Sequence, residues 1–280
     1  MQEHSTRLQD EGDRIGFVPT MGFLHEGHLS LMRRAREENH TLVVSIFVNP
    51  TQFGPNEDFR DYPRDMESDS VMCREEGVDI LFAPSAEEMY PDGFGTTVHV
   101  SGMTEVLCGR SRIGHFDGVT TVVAKLFSIV RPQKSYFGLK DYQQYRVISR
   151  MARDLDMGVD VVGMPIIREE DGLAMSSRNA YLSKRERQSA LSLNRSLREA
   201  EQMVADGIIK SGKIEARVRE IIESEPDTGI DYVQVVDMDD LTTVSDIKGQ
   251  ALLALAVHVG NARLIDNTVL VSALATQAEK

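Results

Sequence analysis

Cysteine is scarce in this 280-residue chain, which holds only Cys73 and Cys108. They stand far apart, outside any CxxC or metal-ligand spacing, which excludes a disulfide framework and a cysteine zinc site and fits a reducing compartment. No run of about 18 apolar residues is present to cross a bilayer, and the N-terminus is polar where an export signal would be apolar. Basic charge is also short: 31 Lys and Arg face 44 Asp and Glu, a formal net charge of −13. Such a field repels a phosphate backbone, so nucleic acid is not an expected partner, although one small basic pocket for an anion stays compatible with it. There is no internal repeat and no low-complexity tract. The expectation is a cytoplasmic globular protein with neither a nucleic-acid nor a membrane partner.

What the chain does have is alternation. Short β-rich runs at 15–18, 41–48, 80–83, 134–137 and 159–162 are separated by helical patterns at 29–38, 65–76, 119–130 and 143–155. That order predicts an α/β unit, a parallel sheet with crossover helices. The run 41–48 is almost continuously apolar, as a central strand covered on both faces requires. Gly77 stands where a left-handed helix cap is cheapest. The character changes after Ile167: residues 168–179 are polar and carry the turn signal Asp171-Gly172, and Ser183 with Glu186 forms a capping-box pattern opening a long helix. Residues 232–236 and 252–259, the pair Gly260-Asn261 and then 263–266 predict antiparallel strands and a tight hairpin. Two domains are expected, 1–167 and a smaller α+β domain at 168–280.

Four strings carry chemistry. Residues 19–28 (PTMGFLHEGH) follow a strand and open a helix, a junction where free N–H groups and the helix dipole favour an anion. His25 and His28 fall on one side of the first turn, and Gly27 lets a ring or phosphate approach the backbone. A structural histidine pair or part of a metal site has the same spacing; no third ligand is evident nearby, and the strand-to-helix setting favours phosphate. Residues 47–54 (FVNPTQFG) end the apolar strand, at the sheet edge where ligands collect, though Asn-Pro alone is also an ordinary turn. Residues 136–144 (YFGLKDYQQ) again lead from strand to helix, with Lys140 either solvated or reaching phosphate as a point charge. Residues 175–179 (MSSRN) place two hydroxyls and a guanidinium in sequence, equally a polar surface loop or a phosphate grip.

The HxGH element resembles the signature of the HIGH nucleotidyltransferase superfamily, and the longer strings resemble the pantothenate synthetase (pantoate–β-alanine ligase) family. The likeness extends over about residues 15–181 and includes 108–119 (CGRSRIGHFDGV), for which no firm role is expected beyond a basic loop near the site; there His115 reads as structural and Arg110 and Arg112 as solvated. The leader before Ile15 is shorter than is usual in that family. The resemblance implies a Rossmann-like α/β fold with a smaller C-terminal lid domain. It implies that His28, His25 and Lys140 are catalytic. ATP would be held by Met21, Gly22, Phe23, Leu24, His25, Glu26, Gly27, His28, Gly138, Leu139, Lys140, Asp141, Ile167, Met175, Ser176, Ser177 and Arg178. Gln52 and Gln144 would hold pantoate or β-alanine. Leu139 stands where members commonly show glutamate.

The implied chemistry is attack of the pantoate carboxylate on the α-phosphorus of ATP, loss of pyrophosphate, and transfer of the acyl group to β-alanine with release of AMP. Mg²⁺ would arrive on the triphosphate, with no metal site of the protein's own, and positive charge on His25, His28, Lys140 and Arg178 would stabilise the transition state. The family also implies a homodimer. Two rivals remain at this point: another nucleotidyltransferase of the superfamily, and a nucleotide-sensing module on the same fold. The second would be marked by loss of His25, His28 or Lys140, and all three are present.

Overall fold

The computed structural model describes residues 1–55 and 57–272. The chain forms two compact units, Met1–Thr104 with Arg112–Ile167, and Glu105–Ser111 with the chain from Arg168 onward. Residues 105–111, placed by sequence inside the first domain, thus group with the second unit.

In chain order the elements of the first unit are α1 (Gln2–Asp10), β1 (Ile15–Thr20), α2 (Glu26–Glu38), β2 (Thr41–Ile46), α3 (Met66–Glu75), β3 (Ile80–Phe82) and α4 (Ala86–Met89). After α5 (Cys108–Ser111), which belongs to the second unit, come α6 (His115–Val130), β4 (Lys134–Gly138), α7 (Tyr142–Asp154) and β5 (Asp160–Met164). The strands form one parallel sheet in the order β3-β2-β1-β4-β5. Every residue of β2 is buried, as its almost continuously apolar run demands. β1 lies at the centre, with Thr20 opposite Ile46 of β2 and Gly16 opposite Lys134 of β4. Because the strands are parallel, the turns after β1, β2 and β4 leave from one edge of the sheet. The chain order reverses beside β1, and that is the place where open α/β sheets bind ligands. One face of the sheet is filled by Val18, Leu31, Met32, Ala35, Leu42, Val44 and Tyr136.

Two helices start well before the expected position. α2 begins at Glu26 rather than Leu29, and α6 at His115 rather than Val119. The first turn of α2 is polar, so its apolar stripe begins only after the helix does, and in α6 the turn His115–Gly118 holds a single apolar residue, the buried Phe116. α1 was not anticipated at all; Ser5 is its buried residue, and no apolar stripe marks it.

The second unit holds α8 (Lys184–Ala205), α9 (Ser211–Glu223) and an antiparallel sheet of β6 (Thr228–Val236), β7 (Gln250–Val259) and β8 (Ala262–Val271). Leu193, Leu197, Ile214, Val218, Ile222, Val233, Leu253 and Leu255 form its core. The capping box opens α8 as expected: Glu186 N–H donates to Ser183 Oγ at 3.3 Å, and Ser183 N–H donates to Glu186 Oε2 at 2.8 Å. Val259 pairs with Ala262, so Gly260-Asn261 is a two-residue hairpin. Among the described residues, no helix is long and apolar enough to cross a membrane.

Candidate active site at the edge of the parallel sheet

The turn after β1 is shaped by a residue distant in sequence. Asp69 on α3 is buried and accepts N–H bonds from Phe23 and Leu24, both at 2.8 Å. The turn needs that anchor, because Gly22 and Phe23 both take positive φ, 80° and 51°. A side chain at Gly22 would begin 2.8 Å from Asp69 Oδ2, which leaves room for hydrogen alone. Held in this way, the chain delivers His25 as the N-cap of α2.

The caps fix the chemistry of both imidazoles. Gly27 N–H donates to His25 Nδ1 at 3.2 Å, and His25 N–H donates to His28 Nδ1 at 3.3 Å. A backbone N–H can only donate, so each Nδ1 is an acceptor and each ring carries its proton on Nε2. The rings lie side by side, centroids 4.1 Å apart. His28 keeps part of its surface open. Even so, burial first, then the adjacent His25 and Lys140 charges, hold its pKa well below the ordinary imidazole value. The expected positive charge on His28 is therefore corrected: at neutral pH it is an uncharged N–H donor at a helix N-terminus.

The turn after β2 is a single 3₁₀ turn, Pro50–Gln52, capped by Asn49. Gln52 is buried, its Oε1 accepting from Asn49 Nδ2 at 3.2 Å and its Nε2 directed at Met21 Sδ, 3.0 Å away. This contact joins the second turn to the first. Its backbone is clamped from α6. His115 Nδ1–H donates to the Gln52 carbonyl at 2.8 Å, and Arg112 donates to His115 Nε2 at 3.0 Å, to the same carbonyl at 3.3 Å and to both oxygens of Glu57 at 2.7 and 2.6 Å. With Nε2 accepting from a guanidinium, His115 is neutral; burial and Arg112 lower its pKa to about 4, against smaller opposing effects of the Gln52 carbonyl, Glu57 and Asp141. Arg112 is thus bound, not solvated as expected, and His115 has the structural role foreseen for it. Gly118 completes the clamp, since a Cβ there would lie 2.4 Å from the Thr51 carbonyl oxygen.

The turn after β4 is a second 3₁₀ turn, Leu139–Asp141. Lys140 Nζ lies 3.7 Å from Asp141 Oδ2, and its charge is felt at His28. A methyl group placed on Gly138 would meet no described atom within 4 Å, so the backbone there is open to a ligand. Leu139 turns to apolar company: a Cβ on Gly163 would lie 2.7 Å from its Cδ2. Gln144 sits in the first turn of α7, half-buried, and Ile167 ends the first unit. His25, His28, Gln52, Lys140, Asp141 and Gln144 therefore all lie on turns or helix starts at one edge of one sheet. Met175, Ser176, Ser177 and Arg178 belong to the second unit, where Ser176 Oγ accepts from Arg178 N–H at 3.3 Å. Among the described residues, no cluster of three or more His, Cys, Asp or Glu side chains is arranged to hold a metal ion.

The sequence pattern of pantoate-β-alanine ligases matches residues 1–269. The chain belongs to that family. Pantothenate synthetase from Acetivibrio thermocellus is 57% identical over 258 residues, 92% of each chain, and that from Moorella thermoacetica is 57% identical over 275 residues, 96% of this chain and 95% of the relative. The crystal structure of pantothenate synthetase from Thermus thermophilus superimposes with a TM-score of 0.90 at 48% identity, covering 94% of this chain and 96% of that one. Pantoate-β-alanine ligase from Francisella tularensis, solved in complex with β-γ ATP and β-alanine, superimposes with a TM-score of 0.78 at 33% identity, covering 95% of each.

Asp69 and Glu57 escaped the sequence reading, and Asn49, Arg112 and Gly118, although within the strings read there, were given no part in holding the site. Asp69 did leave a signal. It lies four residues before Cys73, on the face of α3 that is buried, and a carboxylate on a buried helix face must serve buried donors.

Proposed function

We propose that the protein is an ATP-dependent ligase that condenses (R)-pantoate with β-alanine to give pantothenate, through a pantoyl-adenylate, with AMP and pyrophosphate as by-products. The observation that carries this reading is the set of donors at one sheet edge. Two imidazoles offer Nε2–H groups at the N-terminus of α2 beside Lys140, and the Gln52 amide faces Met21 of the turn that leads into that helix.

In the first step a pantoate carboxylate oxygen attacks the α-phosphorus and the bond to the bridging oxygen breaks, so pyrophosphate leaves with the electron pair. The triphosphate brings its Mg²⁺ with it. His28 and His25 donate to phosphate oxygens whose charge grows in that step, and Lys140 acts as a point charge. Gln52 donates to a pantoate oxygen from one side, with Gln144 on α7 as its counterpart. In the second step the free amine of β-alanine attacks the acyl carbon, AMP leaves, and the amine loses a proton. No covalent enzyme intermediate is needed. Family likeness supports the remaining ATP contacts at 21–28, 138–141, Ile167 and 175–178, and a cytoplasmic homodimer.

The test is AMP release by purified protein with MgATP, pantoate and β-alanine, each omitted in turn. AMP must require both acids, and pyrophosphate exchange into ATP must require pantoate alone. AMP formation that ignores β-alanine, or exchange that ignores pantoate, would remove the assignment.

A further inference from the structure

The Gln52 side chain is held by a polar chain whose direction is set by main-chain groups. Asn49 is buried, and all of its amide is engaged. Its Oδ1 accepts from Thr51 N–H at 3.3 Å, from Thr51 Oγ at 2.9 Å and from the Tyr90 hydroxyl at 2.7 Å; its Nδ2 donates to the Gly118 carbonyl at 3.1 Å and to Gln52 Oε1 at 3.2 Å. Thr51 N–H can only donate and the Gly118 carbonyl can only accept, so the Asn49 amide has one workable orientation. That orientation presents N–H to Gln52 Oε1, and the far side of the Gln52 amide must then be its NH₂. The group it meets in a ligand is an acceptor, a hydroxyl or carboxylate oxygen.

Tyr90 makes the shortest of the bonds to Asn49, and its hydroxyl is a secure donor, since burial raises its pKa. The hydroxyl also lies 3.3 Å from Thr51 Oγ, and packing of the ring adds to its placement. The ring lies against Phe47 and Phe94, centroids 6.3 and 5.1 Å away, and Lys125 Nζ stands 5.9 Å from its centroid. We propose that Tyr90 is a positioning residue for this ligase, whose hydroxyl, through Asn49, holds the Gln52 amide with its N–H side toward pantoate. The proposal rests on the reading of Gln52 as a pantoate contact.

Tyr90→Phe removes the hydroxyl and keeps the ring packing. Losing the short bond to Asn49, together with the longer contact to Thr51, should raise the KM for pantoate about fivefold while the KM for ATP stays within about twofold. In a Gln52→Ala background the same change should add nothing, because the residue acts through that amide. An unchanged pantoate KM in Tyr90→Phe, an equal rise in both KM values, or an undiminished effect in the Gln52→Ala background would each overturn the proposal. Failure of the functional reading looks different: the unmodified protein would then show no pantoate-dependent exchange, and the proposal would fall with it.

Discussion

Lowering the pH should loosen the protein through His115, by an amount that can be calculated. In the fold His115 is neutral, donating to Gln52 and accepting from Arg112, with a pKa of about 4. Unfolded, it returns to the ordinary value of about 6.5. Between those values the unfolded chain binds more protons than the folded one, so this contribution is fully present above pH 6.5 and is lost as the pH falls toward 4. At about 1.4 kcal/mol per unit the whole window is worth roughly 3 kcal/mol, and roughly 2 kcal/mol of it is lost between pH 7 and pH 5. The physical cause is direct: protonating Nε2 would turn a second donor toward the Arg112 guanidinium 3.0 Å away. His115→Gln keeps one donor and one acceptor and cannot titrate. Urea unfolding of both proteins at pH 7 and pH 5 isolates this residue, because every other carboxylate and imidazole is common to the two. The unmodified protein should lose about 2 kcal/mol more than the variant over that interval. Parallel losses would refute the account of His115 as a neutral bridge.

His28→Ala should lower pantoate-dependent pyrophosphate exchange by roughly 10²–10³-fold, the cost of removing one donor to developing charge, while the lost cap costs only about 1 kcal/mol in thermal or urea unfolding. Near-normal exchange would remove His28 from the mechanism. Gly118→Ala forces a Cβ to within 2.4 Å of the Thr51 carbonyl oxygen and 2.7 Å of the Gln52 nitrogen, so it should cost about 1–3 kcal/mol and raise the KM for pantoate more than that for ATP. Steady-state kinetics in both substrates would check the split. Asp69→Asn leaves one of the two N–H groups of Phe23 and Leu24 facing an amide NH₂; about 2 kcal/mol of stability should be lost and the KM for ATP should rise, with a shift in urea midpoint as the readout.

The centre of the sheet was legible because burial on both faces leaves one mark, a mostly apolar run, and β2, buried at every position, shows it with only Thr41 and Ser45 polar. The capping box at Ser183 and Glu186 and the hairpin at Gly260 were legible because their bonds join near neighbours. Those signals are local. The clamp on Gln52 is not: His115 and Arg112 read as a structural histidine and a solvated charge until the fold brings them against a carbonyl some 60 positions away. Asp69 reaches Phe23 across a similar gap. The string 19–28 predicted a strand-to-helix turn, and the turn is there, but the protonation of its histidines depends on caps and burial that no spacing encodes.

That protonation bears on how such a site can favour a transition state. Two imidazolium charges with centroids 4.1 Å apart would repel by on the order of 4 kcal/mol at an effective dielectric of about 20, and Lys140 adds to the same field. Keeping His28 neutral avoids that cost and still leaves it an Nε2–H donor in the first turn of the helix. A neutral donor fixed by its own cap needs no reorganisation when phosphate charge grows, and it holds the ground-state triphosphate less tightly than a cation would. On the proposed function, the stabilisation would thereby be weighted toward the moment of charge transfer, with Lys140 supplying a standing positive charge beside His28.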